Sequence, residues 1–270
     1  MPVPPAGATQ TADHLDAVED TPLLHDSRDP AEAESDMRSS LPSGGGAAPS
    51  PSAVELIGRN SCTGVSSWAA QLGLVLATVV LWRVLWVHPA GLFSYHPALQ
   101  SLAALGFLEG ILLLQPQPVS SQAKRKGLHI HQAFQYASLV VIVGGAAVII
   151  YNKAIHGAKH FTSWHAISGL VTLGLIFLQI VFGAAMVYTP LQKILFKSEA
   201  RAKQVWKYHR MSGYLTLAFL TLTPLLALAS DWMANNSTKV ERAVIGTGLG
   251  VAALAAYSRV QTSKLGFKQA

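Results

Sequence analysis

Cysteine is almost absent from this 270-residue chain, in which Cys62 is the only one. A single cysteine excludes a disulfide framework, a cysteine-ligated metal centre and any C-x-x-C motif. Charged residues are also scarce, at 13% of the chain against 50% hydrophobic residues. This balance is typical of membrane proteins and unlike that of an ordinary soluble domain.

Acidic residues are nearly confined to the first part of the chain. Residues 1–60 carry ten acids against three arginines, whereas the remainder carries seventeen Lys and Arg against four acids. Because this first part is rich in Pro, Ala, Gly and Ser and lacks apolar periodicity, we predict a disordered acidic tail over residues 1–60. Basic residues beside long apolar runs indicate contacts with membrane lipid, and we expect no nucleic-acid partner.

Six apolar segments follow, each long enough to cross a hydrocarbon core about 30 Å thick as a helix. They comprise residues 68–87, 96–114, 131–151, 165–188, 209–230 and 240–257. The predicted fold class is an all-α membrane protein with six transmembrane helices. Its domains are then a six-helix unit over residues 61–258 and a basic cytoplasmic tail over residues 259–270.

Basic residues concentrate in the loops after the second and fourth segments and in the C-terminal tail. The positive-inside rule therefore places both termini in the cytoplasm. The acidic tail contains Glu19-Asp20-Thr21-Pro22-Leu23-Leu24, which resembles acidic dileucine sorting signals. A multi-pass protein of an endomembrane (vacuole, lysosome or endosome) is one expectation, and residence in the plasma membrane is the other.

Four histidines lie near the starts of four successive apolar segments: His96, His131, His165 and His209. Because successive membrane helices run in opposite directions, His96 and His165 are predicted near one membrane face, with His131 and His209 near the other. Haem iron accepts two imidazoles as axial ligands, and facing helices of a bundle can supply one each. The pattern predicts two non-covalent haems, with the His131–His209 site nearer the cytoplasm.

Two of these histidines are followed four residues later by glycine, as His165…Gly169 and His209…Gly213. Such a glycine lies one turn deeper on nearly the same helix face, where it leaves space for a flat macrocycle. Small residues serve close helix packing equally well, so both interpretations stand.

His129 competes with His131 for the role of ligand, because two residues apart on a helix they point in different directions. His131 lies further inside the apolar segment and is favoured. Two charged residues also fall within apolar segments. Glu109 could pair with a basic loop residue, snorkel to the membrane surface or help handle protons at the inner site, and pairing is favoured. Arg83 is predicted to be a snorkelling anchor.

The chain resembles the cytochrome b561 family, in particular its small core-only members, the cytochrome b561 domain-containing proteins. The matching stretches are Phe93-Ser-Tyr-His-Pro97, Glu109-Gly110, Arg125-Lys126 with His131, His160-Phe-Thr-Ser-Trp-His165 and Tyr208-His-Arg-Met-Ser-Gly213. Together they extend over roughly residues 66–258.

This resemblance implies a central four-helix bundle that holds two b-type haems. It implies transfer of electrons from cytosolic ascorbate across the membrane to monodehydroascorbate or ferric chelates. The axial ligands would be His96, His131, His165 and His209. Lys124, Arg125 and Lys126 would lie at the ascorbate site, and His160 at the acceptor site.

Two other classes of protein compete with this interpretation. A ferric reductase or NADPH oxidase domain would carry paired histidines on each of two helices and a nucleotide-binding domain, and no Gly-x-Gly-x-x-Gly motif is present. A proton-coupled transporter or a membrane scaffold would use the histidines as relays or packing groups. A homodimer is compatible with the sequence.

Overall fold

The structure is a computed structural model that describes residues 51–116, 118 and 120–265. Within these residues the secondary structure is entirely helical. The α-helices are α1 (Ala53–Ser61), α2 (Val65–Val87), α3 (Tyr95–Leu114), α4 (Ser121–Ile155), α5 (Trp164–Val187), α6 (Thr189–Phe196), α7 (Glu199–Ala227), α8 (Asp231–Asn236) and α9 (Lys239–Tyr257). Two 3₁₀ turns, Gly91–Ser94 and Thr262–Leu265, lie before α3 and after α9.

Five of these helical segments are long and apolar enough to cross a membrane: α2, α3 with its preceding turn, α4, α5 and α9. The prediction of an all-α membrane protein is therefore confirmed. The remaining predicted segment, residues 209–230, falls mostly within α7, whose 29 residues are also long enough but include more polar side chains. Pro224 lies inside α7.

Helices α4 and α7 begin about ten residues before the apolar segments that predicted them. Their first turns are polar, but Ser120 and Ser198 cap them by accepting hydrogen bonds from Ala123 N (3.1 Å) and Arg201 N (3.3 Å). Hydropathy marks only the part of a helix that lies in lipid, so it missed these extensions. His131 and His209 consequently lie well inside their helices.

The prediction of disorder over residues 1–60 is wrong for its last part, which forms α1. Ser52 and Glu55 form a capping box, and the Leu56 side chain is fully buried. Asn60 Nδ2 donates a hydrogen bond of 2.9 Å to Leu113 O at the end of α3. This long-range contact could not be inferred from local composition. Residues 1–50, including the dileucine pattern, lie outside the described residues.

The large helices pack chiefly as antiparallel pairs: α2 with α9, α3 with α4, and α5 with α7. The backbones of α2 and α9 approach each other closely, because a Cβ built on Gly73 would lie 2.7 Å from Gly248 O. Within the described residues, backbone contacts between the α3–α4 pair and the α5–α7 pair are sparse. The two pairs therefore meet mainly through side chains, among them the apolar cluster of Phe107, Ile142 and Ile176.

Two predictions about charged residues in apolar segments are corrected by their contacts. Arg83 near the end of α2 forms an ion pair with Glu241 at the start of α9, so it links two helices. The Glu109 carboxylate accepts a hydrogen bond of 3.3 Å from Gln71 Nε2 rather than pairing with a basic loop residue. Polar groups inside a membrane protein tend to find such internal partners.

Arg259, placed by the sequence in the C-terminal tail, joins several helix ends. Its guanidinium donates to Gln115 Oε1 (2.9 Å), to Asn60 O (3.0 Å) and to Ser67 Oγ. Partial burial lowers the pKa of this group, but arginine stays protonated at neutral pH. The contacts therefore tie α1, α2 and α3 to the end of α9.

Arg259→Met should remove these hydrogen bonds while keeping most of the side-chain length. We expect a loss of about 1–2 kcal/mol of stability, because the group is only partly buried. Thermal unfolding in detergent measures the effect. Arg242→Met, which removes a guanidinium at the start of α9 that bonds Met233 O, is the control and should lower the unfolding temperature less.

Candidate haem-binding site

The candidate ligands of α3 and α4 are each held by a backbone carbonyl of the opposite helix. His96 Nδ1 lies 2.9 Å from Gly145 O, and His131 Nδ1 lies 2.7 Å from Gly110 O. A carbonyl oxygen can only accept, so Nδ1 must carry the proton in both rings. The lone pair of Nε2 is thereby left to bind a metal, as in metal-binding histidines whose other ring nitrogen donates to a carbonyl.

The α5–α7 pair holds its two histidines in a related way. His165 Nδ1 donates to Thr223 O at 2.9 Å, next to Pro224. One end of the Gln179 amide lies 3.0 Å from His209 Nδ1. In the orientation that satisfies its neighbours, the Gln179 amide donates through its nitrogen to His209 Nδ1 and accepts from Gly213 N, which leaves the ring proton on Nε2. Binding a metal through Nε2 would require this amide to turn its oxygen toward Nδ1.

The four rings form two groups between the helix pairs. The ring centroids of His96 and His165 are 6.1 Å apart, with an interplanar angle of 76°. Two metal–imidazole bonds of about 2 Å each, with the distance from each nitrogen to its ring centre, would separate the centroids by about 6 Å. One iron atom therefore fits between these rings. His131 and His209 form the second group and are close enough to interact electrostatically.

The competition between His129 and His131 has a clear geometric outcome. His129 is exposed, whereas the half-buried His131 ring contacts Gly110 O across the helix interface. Within the described residues, no group of three or more His, Cys, Asp or Glu side chains could hold a metal ion by itself. Pairs of imidazoles that complete the coordination of a haem iron fit the site better than a protein-only metal centre.

The glycines that follow His165 and His209 have contacts that the sequence could not specify. A Cβ on Gly169 would lie 3.6 Å from Thr223 Cγ2, and one on Gly213 would lie 3.6 Å from Gln179 Oε1. Both are ordinary van der Waals distances, so an alanine would fit at either position and the packing of these helices does not itself require glycine there. Gly183 instead borders a candidate ligand, since its Cβ would lie 3.2 Å from His209 Cε1.

The residues predicted to bind substrates lie at opposite ends of α4. Lys124, Arg125 and Lys126 are in its first two turns, and Arg125 is exposed. His160 is exposed in the loop that follows α4, where its ring centroid lies 6.1 Å from that of Phe161. The structure thus separates the two predicted substrate sites by the length of a 35-residue helix.

Several residues of this site were missed by sequence reasoning. Gly110, Gly145 and Thr223 contribute backbone carbonyls, which leave no chemical signature in a sequence. Gln179 and Gly183 lie near the far end of α5, and only the helix register brings them against His209. A polar glutamine inside an apolar segment was the one available signal.

Comparisons with known proteins identify the chain. Residues 95–235, which span α3 to α8, match the family model "Eukaryotic cytochrome b561". A transmembrane reductase CYB561D2 of Bos taurus is 27% identical over 180 residues, covering 65% of this chain and 77% of that protein. The proteins of the same name from Mus musculus and Homo sapiens are each 26% identical over 182 residues, covering 66% of this chain and 78% of theirs. Because the family model spans more than half of the chain, the protein belongs to the eukaryotic cytochrome b561 family of membrane oxidoreductases, for which a b-type haem is implied.

Proposed function

We propose that this protein holds two b-type haems and carries electrons from cytosolic ascorbate to monodehydroascorbate or a ferric chelate across the membrane. The observation that carries the proposal is the set of four half-buried imidazoles, of which three donate Nδ1–H to a backbone carbonyl and the fourth lies against an amide. The family and the reductase names of its relatives support transmembrane electron transfer. Six spans with both termini in the cytoplasm belong to the proposal.

Each haem b would supply a one-electron iron couple held between two imidazoles. His96 and His165 would hold the haem nearer the non-cytoplasmic face, and His131 with His209 the other. In His96, His131 and His165 the hydrogen bonds from Nδ1 fix the plane of the ring and make its Nε2 a stronger electron donor. The apolar walls of the helix pairs keep water away from these groups.

The cytoplasmic end of α4 has the charge that an ascorbate site needs. Ascorbate is an anion at neutral pH, and Lys124, Arg125 and Lys126 lie together where the helix dipole adds further positive potential. Clustered positive charge raises the local concentration of an anionic substrate. These residues would therefore bind and orient the donor at the membrane surface.

Arg125→Glu should weaken the binding of ascorbate without changing the haems. We expect KM for ascorbate to rise about tenfold, because one favourable charge contact of about 1.4 kcal/mol is lost. Initial rates of reduction measure this change, and added salt should narrow the difference between the variant and the unmodified protein. Lys193→Glu, on α6, is the control. An unchanged KM in Arg125→Glu would remove the donor site from this end of α4.

At the other end, exposed His160 would contact the acceptor. A neutral imidazole can bind iron in a chelate, and a protonated imidazole can donate a proton to an oxygen radical anion. The direct test of the function is a vesicle that contains the purified protein, with ascorbate trapped inside. The proposal expects reduction of an external ferric chelate by vesicles with the protein and not by protein-free vesicles. Equal rates in both would contradict it.

A further inference from the structure

In the α3–α4 pair, a glutamine close to each histidine makes a further hydrogen bond to the opposite helix, for which the proposed function gives no role. Four residues after His96, Gln100 Nε2 donates a hydrogen bond of 3.2 Å to Ile142 O. Ile142 lies three residues before Gly145, the residue whose carbonyl accepts from His96. The histidine and the glutamine of α3 thus donate hydrogen bonds to carbonyls on adjacent turns of α4.

The same arrangement occurs in the opposite direction. Four residues after His131, Gln135 Nε2 donates to Phe107 O at 3.4 Å. Phe107 lies three residues before Gly110, whose carbonyl accepts from His131. The two arrangements are therefore related by the approximate twofold symmetry of an antiparallel helix pair.

The glycines at these positions make room for the glutamine amides. A Cβ built on Gly110 would lie 2.6 Å from Gln135 Nε2, and one built on Gly145 would lie 3.0 Å from Gln100 Nε2. The first distance is too short for any real contact, and the second is tighter than most. A side chain at either glycine would displace the amide or separate the helices.

Two hydrogen bonds on adjacent turns fix the relative position of two helices better than one hydrogen bond does. A lone hydrogen bond lets one helix rotate or slide about it, whereas a second bond one turn away resists both movements. In an apolar interface each amide donor is also costly to leave unpaired. The glutamines therefore hold the register in which each imidazole meets its carbonyl.

We propose that Gln100 and Gln135 are positioning residues, each of which sets the orientation and electron-donating strength of the imidazole four residues before it. The inference rests on the proposed ligand roles of His96 and His131. Gln100 acts on the haem nearer the non-cytoplasmic face, and Gln135 acts on the haem nearer the cytoplasm.

In the α5–α7 pair, no glutamine follows the histidines at this spacing, so the proposed role applies only to the α3–α4 pair. There the residue four after each histidine is Gly169 or Gly213. Hydroxyl groups three residues after the histidines make the contacts, from Ser168 to Thr223 Oγ1 (2.7 Å) and from Ser212 to Gln179 (2.5 Å). Each haem would thus have one glutamine-restrained imidazole and one imidazole restrained through a serine.

The test replaces each glutamine by methionine, which has a similar length and no amide donor. Full-length Gln100→Met and Gln135→Met are purified with haem, and each haem is followed by its low-spin electron paramagnetic resonance signal and by redox titration. Gln100→Met should shift the signal of the His96–His165 haem alone, and Gln135→Met that of the other haem alone. The midpoint potential of the affected haem should rise, because a looser Nδ1 hydrogen bond makes the imidazole a weaker donor.

Gln192→Met is the matched control, since Gln192 Nε2 on α6 donates to Met186 O at the end of α5 at 3.2 Å. It should leave both signals unchanged. If a methionine variant does not fold, Gln→Asn at the same position keeps the amide but is too short to reach the carbonyl. Signals that stay unchanged in both glutamine variants, or that change equally in both haems, would overturn the proposal.

A second variant tests the same contact through the glycine. Gly110→Ala should displace the Gln135 amide and shift the same haem as Gln135→Met. The double variant should then show no further shift, whereas Gly110→Ala with Gln100→Met should show the sum of two separate effects. Full additivity of Gly110→Ala and Gln135→Met would contradict the proposed contact.

The companion variants His96→Ala and His131→Ala separate this inference from the function on which it rests. If each removes one haem while the glutamine variants shift nothing, the positioning role fails and the ligand assignment stands. If both haems remain in the histidine variants, the ligand assignment itself fails and the inference fails with it.

Discussion

His165→Ala should remove one of the two haems and stop transmembrane reduction. The variant deletes a ring whose centroid lies 6.1 Å from that of His96 and whose Nδ1 is anchored on Thr223 O. Loss of an outer-shell partner alone typically costs 10–100-fold in metal affinity or activity. Loss of an axial ligand should cost more, so we expect about half of the haem content and a rate reduced by more than about 100-fold.

The measurements for this variant are haem content per polypeptide and the rate of acceptor reduction by vesicles. His129→Ala is the control, because His129 is an exposed histidine on α4. It should retain both haems and most of the activity. Normal haem content and rate in His165→Ala would exclude His165 as a ligand.

Gly183→Val should displace His209 and release the haem nearer the cytoplasm. A Cβ at Gly183 would already lie 3.2 Å from His209 Cε1, and the two methyl groups of valine would need space that the ring occupies. Because the ring is held against Gln179 on one side, it has little freedom to retreat. Overpacking of this kind typically costs about 1–3 kcal/mol of stability. Here it would move the His209 ring out of the position needed to bind iron.

The same helix provides the control for this prediction. A Cβ on Gly174 would meet nothing within 4 Å. Gly174→Val changes the same residue type on α5 and should leave the absorption spectrum unaltered. If Gly183→Val bound both haems with an unchanged spectrum, the ring of His209 would not lie where the structure has it.

The sequence predicted the features that are set by local chemistry. Long apolar runs predicted six spanning helices, and five segments of the described residues are long and apolar enough to span. The alternating direction of the helices predicted His96 beside His165, whose rings do lie together. These inferences need only hydropathy and the antiparallel order of short-looped membrane helices. The resemblance to cytochrome b561 rested on the same histidines and was confirmed by the family match.

The features that escaped prediction depend on helix register. The carbonyls of Gly145 and Gly110 were invisible because every residue has one, and only the packing of α3 on α4 selects these two. Glu109 was expected to reach a basic loop but meets Gln71 of α2. The polar starts of α4 and α7 and the short helix α1 were missed because hydropathy does not mark helices outside lipid.

The central claim is that four imidazoles form two axial pairs. The most direct measurement is the haem content and reduced-minus-oxidised absorption spectrum of the purified full chain after expression with ample haem supply. The account predicts two low-spin haems per polypeptide, with sharp reduced bands typical of paired imidazoles. A colourless protein, as a proton-coupled transporter or a scaffold would give, or a single haem per chain, would contradict it.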